Sequence, residues 1–154
     1  MLGLFSAVVT SRLRFFRIEA AGVQNAFFGG TAAAVFLAFS AIGSWSLSQP
    51  GVASDAGAMR AVQLLSFSDG GVAHTAALGL LLAGVSVPSL VHRLMPRWVC
   101  WLGLAIALVA ELSTLSLLAP SLSILLPLAR FPAIIWLVAA GAVMPRSHAR
   151  GVLA

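Results

Sequence analysis

The chain has 154 residues, of which 60% are hydrophobic and only 8% charged, with a net charge of +5 at neutral pH. A soluble globular domain carries about 25% charged residues, so this composition excludes one and makes lipid the main solvent. All nine basic residues are arginine; with the richness in Ala, Gly and Leu this points to a GC-rich bacterial genome.

Met1 to Val9 is apolar, and Arg12, Arg14 and Arg17 follow it. A secretory signal has its basic residues first, and a bilayer needs about 20 residues of helix. Residues 1–25 therefore read as a basic cytoplasmic segment, neither a signal peptide nor a span. The first span is expected over about 26–47; it is uncharged, with Trp45 placed as an interfacial residue. Within it Gly29, Gly30 and the following alanines make a flat surface suited to close helix packing.

Gln49-Pro50-Gly51 stops that helix, and Ser54 or Asp55 is placed to cap another. From Ala58 to Phe67 apolar and polar residues alternate at helical spacing. The pattern predicts a short amphipathic helix lying in the membrane interface within the first outer loop; a soluble partner-binding helix is the alternative. Ser68-Asp69-Gly70-Gly71 then opens a second span over about 72–91, with Pro88 in its last turn. A basic turn from His92 to Arg97 leads to a third span over about 98–119, anchored by Trp98 and Trp101. The fourth is expected over about 121–144; Pro127 and Pro132 predict irregular first turns. Residues 145–154 form a basic cytoplasmic tail.

The expected fold is thus an all-α integral membrane bundle of four transmembrane helices. Arg12, Arg14, Arg17, Arg93, Arg97, Arg146 and Arg150 fall on one side of it, and only Arg60 and Arg130 on the other. The positive-inside rule then places both termini in the cytoplasm of a multi-pass inner-membrane protein. The same distribution accounts for the net charge without nucleic acid, for which no separate basic domain exists.

Three polar residues stand inside or near the spans. Glu111, in the body of the third, costs about 2.5–3.5 kcal/mol on insertion scales and calls for a partner. Arg130 is the candidate, since both lie roughly 12–14 Å below the outer face at ~1.5 Å rise per residue. The bland reading is a structural ion pair; the sharper one is a ligand site on Arg130 or Glu111. If the fourth helix starts at Pro127 or later, Arg130 instead reaches the interface and Glu111 must pair elsewhere. His74, one turn inside the second span, joins them in one expected outward-facing polar pocket. Asp69, His74 and Glu111 are too few and too scattered for a metal site, and Cys100 is a lone cysteine with no partner. His74 and His92 lie near opposite ends of one helix, which excludes haem ligation between them. No motif for a nucleophile elbow, a zinc protease or a phosphate loop is present. No cofactor is expected.

The Pro96-Arg97-Trp98 turn before the Trp101-Leu102-Gly103 helix start, the Ala-Glu-Leu-Ser-Thr segment at 110–114, and the Leu-Ala-Arg-Phe-Pro segment followed by Trp136 resemble a bacterial family of polytopic membrane proteins. This is the class known as domain of unknown function 4386, and the likeness covers roughly residues 20 to 146. It implies no activity, but it places Glu111 and Arg130 in the family's recognisable segments. It also implies a further helix upstream of the arginines, of which Met1 to Val9 resembles the tail.

These readings lead to two expectations. The first is a non-catalytic structural or accessory subunit, or a homo-oligomer, in the inner membrane, with the lipid bilayer and a larger membrane complex as partners. The second is a ligand-binding or transport protein using His74, Glu111 and Arg130. An enzyme is not expected.

Overall fold

The computed structural model describes residues 2–15 and 21–144. Within them every long element is helical: α1 (Leu2–Phe15), α2 (Ala21–Ser46), α3 (Pro50–Ala53), α4 (Ala56–Phe67), α5 (His74–Val91), α6 (Arg97–Leu112) and α7 (Leu125–Val143). Four helical stretches are long and apolar enough to cross a membrane: Ala21–Ser46, Ala56–Val91, Arg97–Leu117 and Pro120–Val143. The chain is a multi-pass membrane protein with the expected all-α bundle. Arg17 and the basic tail expected after Met144 lie outside the described residues.

The second span departs from expectation. Asp55 caps α4 as anticipated, its carboxylate accepting from the Gly57 amide at 2.8 Å and the Ala58 amide at 3.1 Å. No loop follows α4, however. Ser68–Ala73 is a π-helical turn that joins it to α5, so residues 56–91 form one helix. The reason is packing: a side chain at Gly70 would strike Ser40 of α2, and the Ser40 hydroxyl donates to Ser66 O at 2.8 Å. Turn-forming residues here serve close helix contact.

α2 and the α4–α5 helix run antiparallel along their whole shared length. Gly43 meets Ser66 at one end, Gly29 meets Ala77 and Leu81 in the middle, and Gly22 and Ala26 meet Gly84 and Pro88 at the other. A Cβ on Gly29 would lie 2.6 Å from Leu81 N and 2.7 Å from Ala77 O. The two backbones touch, as small-residue faces permit in lipid, where dispersion and not the hydrophobic effect draws helices together.

On another side of α5 lies α6, with Gly79 against Ala107 and Ala110, and Ser86 against Gly103. α7 returns along α6. The fully buried Trp136 covers Gly103, and its Nε1 donates to Val99 O at 2.7 Å. Gly103 and Trp136 thus form one packing unit. The α5–α6 turn closes with Leu94 N donating to Ser89 O at 3.0 Å and Arg93 in the left-handed region at φ 53°. That is the hydrogen-bond pattern of a helix ended by a left-handed residue, usually glycine.

Two irregular segments separate α6 from α7. Ser113–Leu117, at the end of the third span, and Pro120–Ile124, at the start of the fourth, are 3₁₀-helical. Pro127 and Pro132, expected to cause irregular first turns, lie instead inside the α-helix α7. Ser113 Oγ donates to Ala110 O at 2.6 Å and Thr114 Oγ1 to Glu111 O at 2.7 Å. Such hydroxyls compete for the backbone acceptors of a regular helix. The apolar start of the chain is not outside the bundle: Ser6, Val9, Thr10 and Leu13 of α1 are buried, with Ser6 on Gly30 of α2.

Candidate functional site

α5 is the central helix, and its neighbours do not enclose it evenly. α2 and α7 both reach it, yet they share no extended contact with one another. A crevice is left between them, floored by the π turn and the first turns of α5. Phe131, Ile134 and Val138 of α7 line it and are exposed, so it opens sideways toward lipid.

The crevice has two chambers. One, of about 540 Å³, faces the bundle end where α4 and the 3₁₀ segments lie; Ser40, Ser66, Thr75 and Ser123 add hydroxyls to a lining otherwise made largely by Phe67, Leu126, Pro127 and Phe131. The other, of about 440 Å³, runs toward the opposite end and is walled by Leu2, Phe5, Leu78, Ile134, Leu137 and Val138. Both volumes fall in the range of small-molecule pockets, about 300–1,000 Å³. Leu37 and Arg130 belong to both chambers, so a guanidinium stands where the hydroxyl-bearing lining gives way to a more apolar one.

Arg130 is half-buried, and the hydrogen bond found for it is a long one, to Gly70 O at 3.4 Å. The π turn bears on this contact, because the His74 amide donates to Asp69 O and Gly71 O and leaves Gly70 O to others. π turns inside helices recur at functional sites. His74 is 3% exposed and lines the apolar chamber. Its Nδ1 lies 2.8 Å from Ala33 O. A carbonyl only accepts, so Nδ1 carries the proton and Nε2 of the neutral ring is an acceptor. Three hydroxyls of the first chamber have likewise spent their protons, Ser40 on Ser66 O, Ser66 on Val62 O and Thr75 on Gly71 O, while that of Ser123 keeps its own. The site therefore offers one fixed cation and several acceptor lone pairs.

Of the three residues expected in one pocket, the structure brings together His74 and Arg130. Glu111 does not join them. Its carboxylate lies over Gly79, on the α6 side of α5, and the residue is exposed next to the exposed Leu108, Leu112 and Leu115. The expected ion pair with Arg130 is not formed: no carboxylate among the described residues comes within 4 Å of a guanidinium in the bundle. The physical reason is rotation. Equal depth follows from counting residues, but Gly79 turns α6 so that Glu111 faces away from the crevice. Nor do three of His, Cys, Asp and Glu converge anywhere among the described residues. Sequence reasoning missed Ser40, Ser66 and Thr75 as site residues, because hydroxyls on apolar helices are ordinary and carry no pattern of their own.

Comparison with protein-family models, curated proteins and solved structures finds no match to this chain.

Proposed function

We propose that this chain is a small bacterial inner-membrane protein, without catalysis of its own, that binds a small ligand in the crevice between α2 and α7. The observation that carries the reading is Arg130, a charge held at the junction of the two chambers with no acidic partner among the described residues, in the same crevice as His74. Charges inside a membrane domain are costly and tend to mark binding sites or pathways. The arginines Arg12, Arg14, Arg93 and Arg97, at the bundle end remote from α4, support cytoplasmic termini. Kinship with the domain of unknown function 4386 class is part of the proposal. It rests on the Pro96-Arg97-Trp98 turn, Gly103 and Trp136, and adds no activity.

Native mass spectrometry of the chain, released from membranes in mild detergent, tests the reading. The wild type is expected to carry a bound small molecule that Arg130→Gln loses, while Arg60→Gln keeps it. Equal occupancy in all three would remove the crevice from consideration.

A second reading, assembly into a homo-oligomer or larger membrane complex, is favoured by Glu111. An exposed carboxylate among leucines on a membrane helix is unfavourable unless another chain covers it. Glu111→Leu is then expected to change the oligomeric state in detergent, and an unchanged mass distribution would count against assembly through α6.

A further inference from the structure

We infer that the crevice ligand is a membrane lipid, specifically an anionic phospholipid whose head group also bears hydroxyls. This rests on the ligand-binding reading above and names the ligand's chemistry. Three features converge on it. The crevice opens sideways along the exposed Phe131, Ile134 and Val138 of α7, a path for a molecule already in the bilayer. Its two chambers are ordered along the bundle, the hydroxyl-bearing one toward one end and the more apolar one toward the middle and the other. A lipid of the leaflet nearer α4 has the same order, head group outward and chain inward. Finally, the polar groups are unequal in kind. Arg130 supplies donors for a phosphate, a pairing that is charge-assisted and can be bidentate. Nε2 of His74 and the lone pairs of Ser40, Ser66 and Thr75 supply acceptors. A phosphate alone would leave those acceptors unmatched, and a zwitterionic head would set its own cation near Arg130. A phosphoglycerol head meets both needs, with its phosphate on Arg130 and its hydroxyls donating to the acceptors. The acyl chain lies in the apolar chamber against Leu78, Ile134 and Leu137.

The full chain, delipidated in mild detergent, is titrated with phosphatidylglycerol, phosphatidic acid and phosphatidylcholine of identical acyl chains, and separately with glycerol 3-phosphate, and occupancy is read by native mass spectrometry. Phosphatidylglycerol is expected to bind at least about tenfold tighter than phosphatidylcholine, the scale of one charge-assisted contact. Phosphatidic acid should fall between them. Arg130→Gln should erase the preference, and His74→Phe should narrow the gap between phosphatidylglycerol and phosphatidic acid. Arg60→Gln should change nothing. Should Arg130→Gln not fold, Ile134→Trp fills the apolar chamber and leaves the guanidinium in place. It is expected to weaken binding of all three lipids and leave that of glycerol 3-phosphate unchanged. Equal binding of phosphatidylglycerol and phosphatidylcholine overturns the inference, as does a preference that survives Arg130→Gln. If glycerol 3-phosphate binds as tightly as phosphatidylglycerol and Ile134→Trp does not matter, the lipid falls and the ligand site stands. If no anion distinguishes wild type from Arg130→Gln, both fall.

Discussion

α5 meets α2 and α7 in opposite ways. Against α2 it presents Gly84, Ala77 and Gly70 to Gly22, Ala26, Gly29 and Ser40, and no room is left for a side chain. Toward α7 it presents Thr75 and Leu78, with His74 held to Ala33 O of α2, and Arg130, Ile134 and Leu137 of α7 line the chambers between. One helix thus has a face built for contact and another that holds two chambers open. In lipid there is little hydrophobic force to collapse the second face, so side-chain size alone decides between seam and crevice.

The sharpest way to break the contrast is to place a side chain on the seam. A Cβ on Gly84 would meet Ala26 N and lie 2.6 Å from Gly22 O, and backbone cannot move aside as a side chain can. Gly84→Leu is expected to destabilise the bundle by about 3 kcal/mol or more, the upper range of overpacking. Gly71→Ala, on the crevice side, meets only Leu126 and Phe67 at 3.6–3.9 Å. It should stay within about 0.5 kcal/mol, as a substitution without overpacking does. Reversible denaturation in mixed detergent micelles measures both, and similar losses would mean the two faces are packed alike.

Trp136 tests what holds α7 away from α2. It is anchored to α6 by its bond to Val99 O and by the hollow over Gly103. Trp136→Phe keeps an aromatic ring but leaves a void and removes the indole hydrogen bond to Val99 O. A loss of about 2 kcal/mol is expected from the cavity and hydrogen-bond terms together. Loss of phosphatidylglycerol selectivity in the same variant would show that α7's seat on α6 sets the crevice. A smaller effect is expected at Ser86, buried on the α6 side of α5 with no partner for its hydroxyl. Ser86→Ala should be neutral or stabilise by up to about 1 kcal/mol, since it removes an unsatisfied polar group. Destabilisation in the same assay would mean that the hydroxyl has a partner in the membrane.

How far this was legible in the chain differs between the two faces. Hydropathy located the spans, because about 20 apolar residues in a row have few other uses. The Gly29-Gly30 pair showed a packing face on α2. Ser68-Asp69-Gly70-Gly71 misled, since residues that make turns in water make helix contacts in lipid, and Gly70 sits on Ser40. The crevice was half legible. His74 and Arg130 stood out as costly groups, but counting residues gives depth and not the direction each helix faces. That direction comes from Gly79, Gly103 and Trp136 acting together across three helices.

Glu111 and Arg130 carry that distinction to its smallest measurable consequence. Placed at similar depth by residue counting, they lie on different sides of α5, one over Gly79 and the other at Gly70 and His74. Two groups that share no partner should act independently, with stability effects that add to within about 0.3–0.5 kcal/mol. Glu111→Gln and Arg130→Gln are therefore expected to be additive in the double variant. Had they formed a buried pair, each single change would strand a charge and cost several kcal/mol that the double change would largely restore. Such a rescue would put both residues in one crevice and bring Glu111 back into the site. Additivity would leave Arg130 as the crevice's free cation and Glu111 as a group facing whatever covers α6.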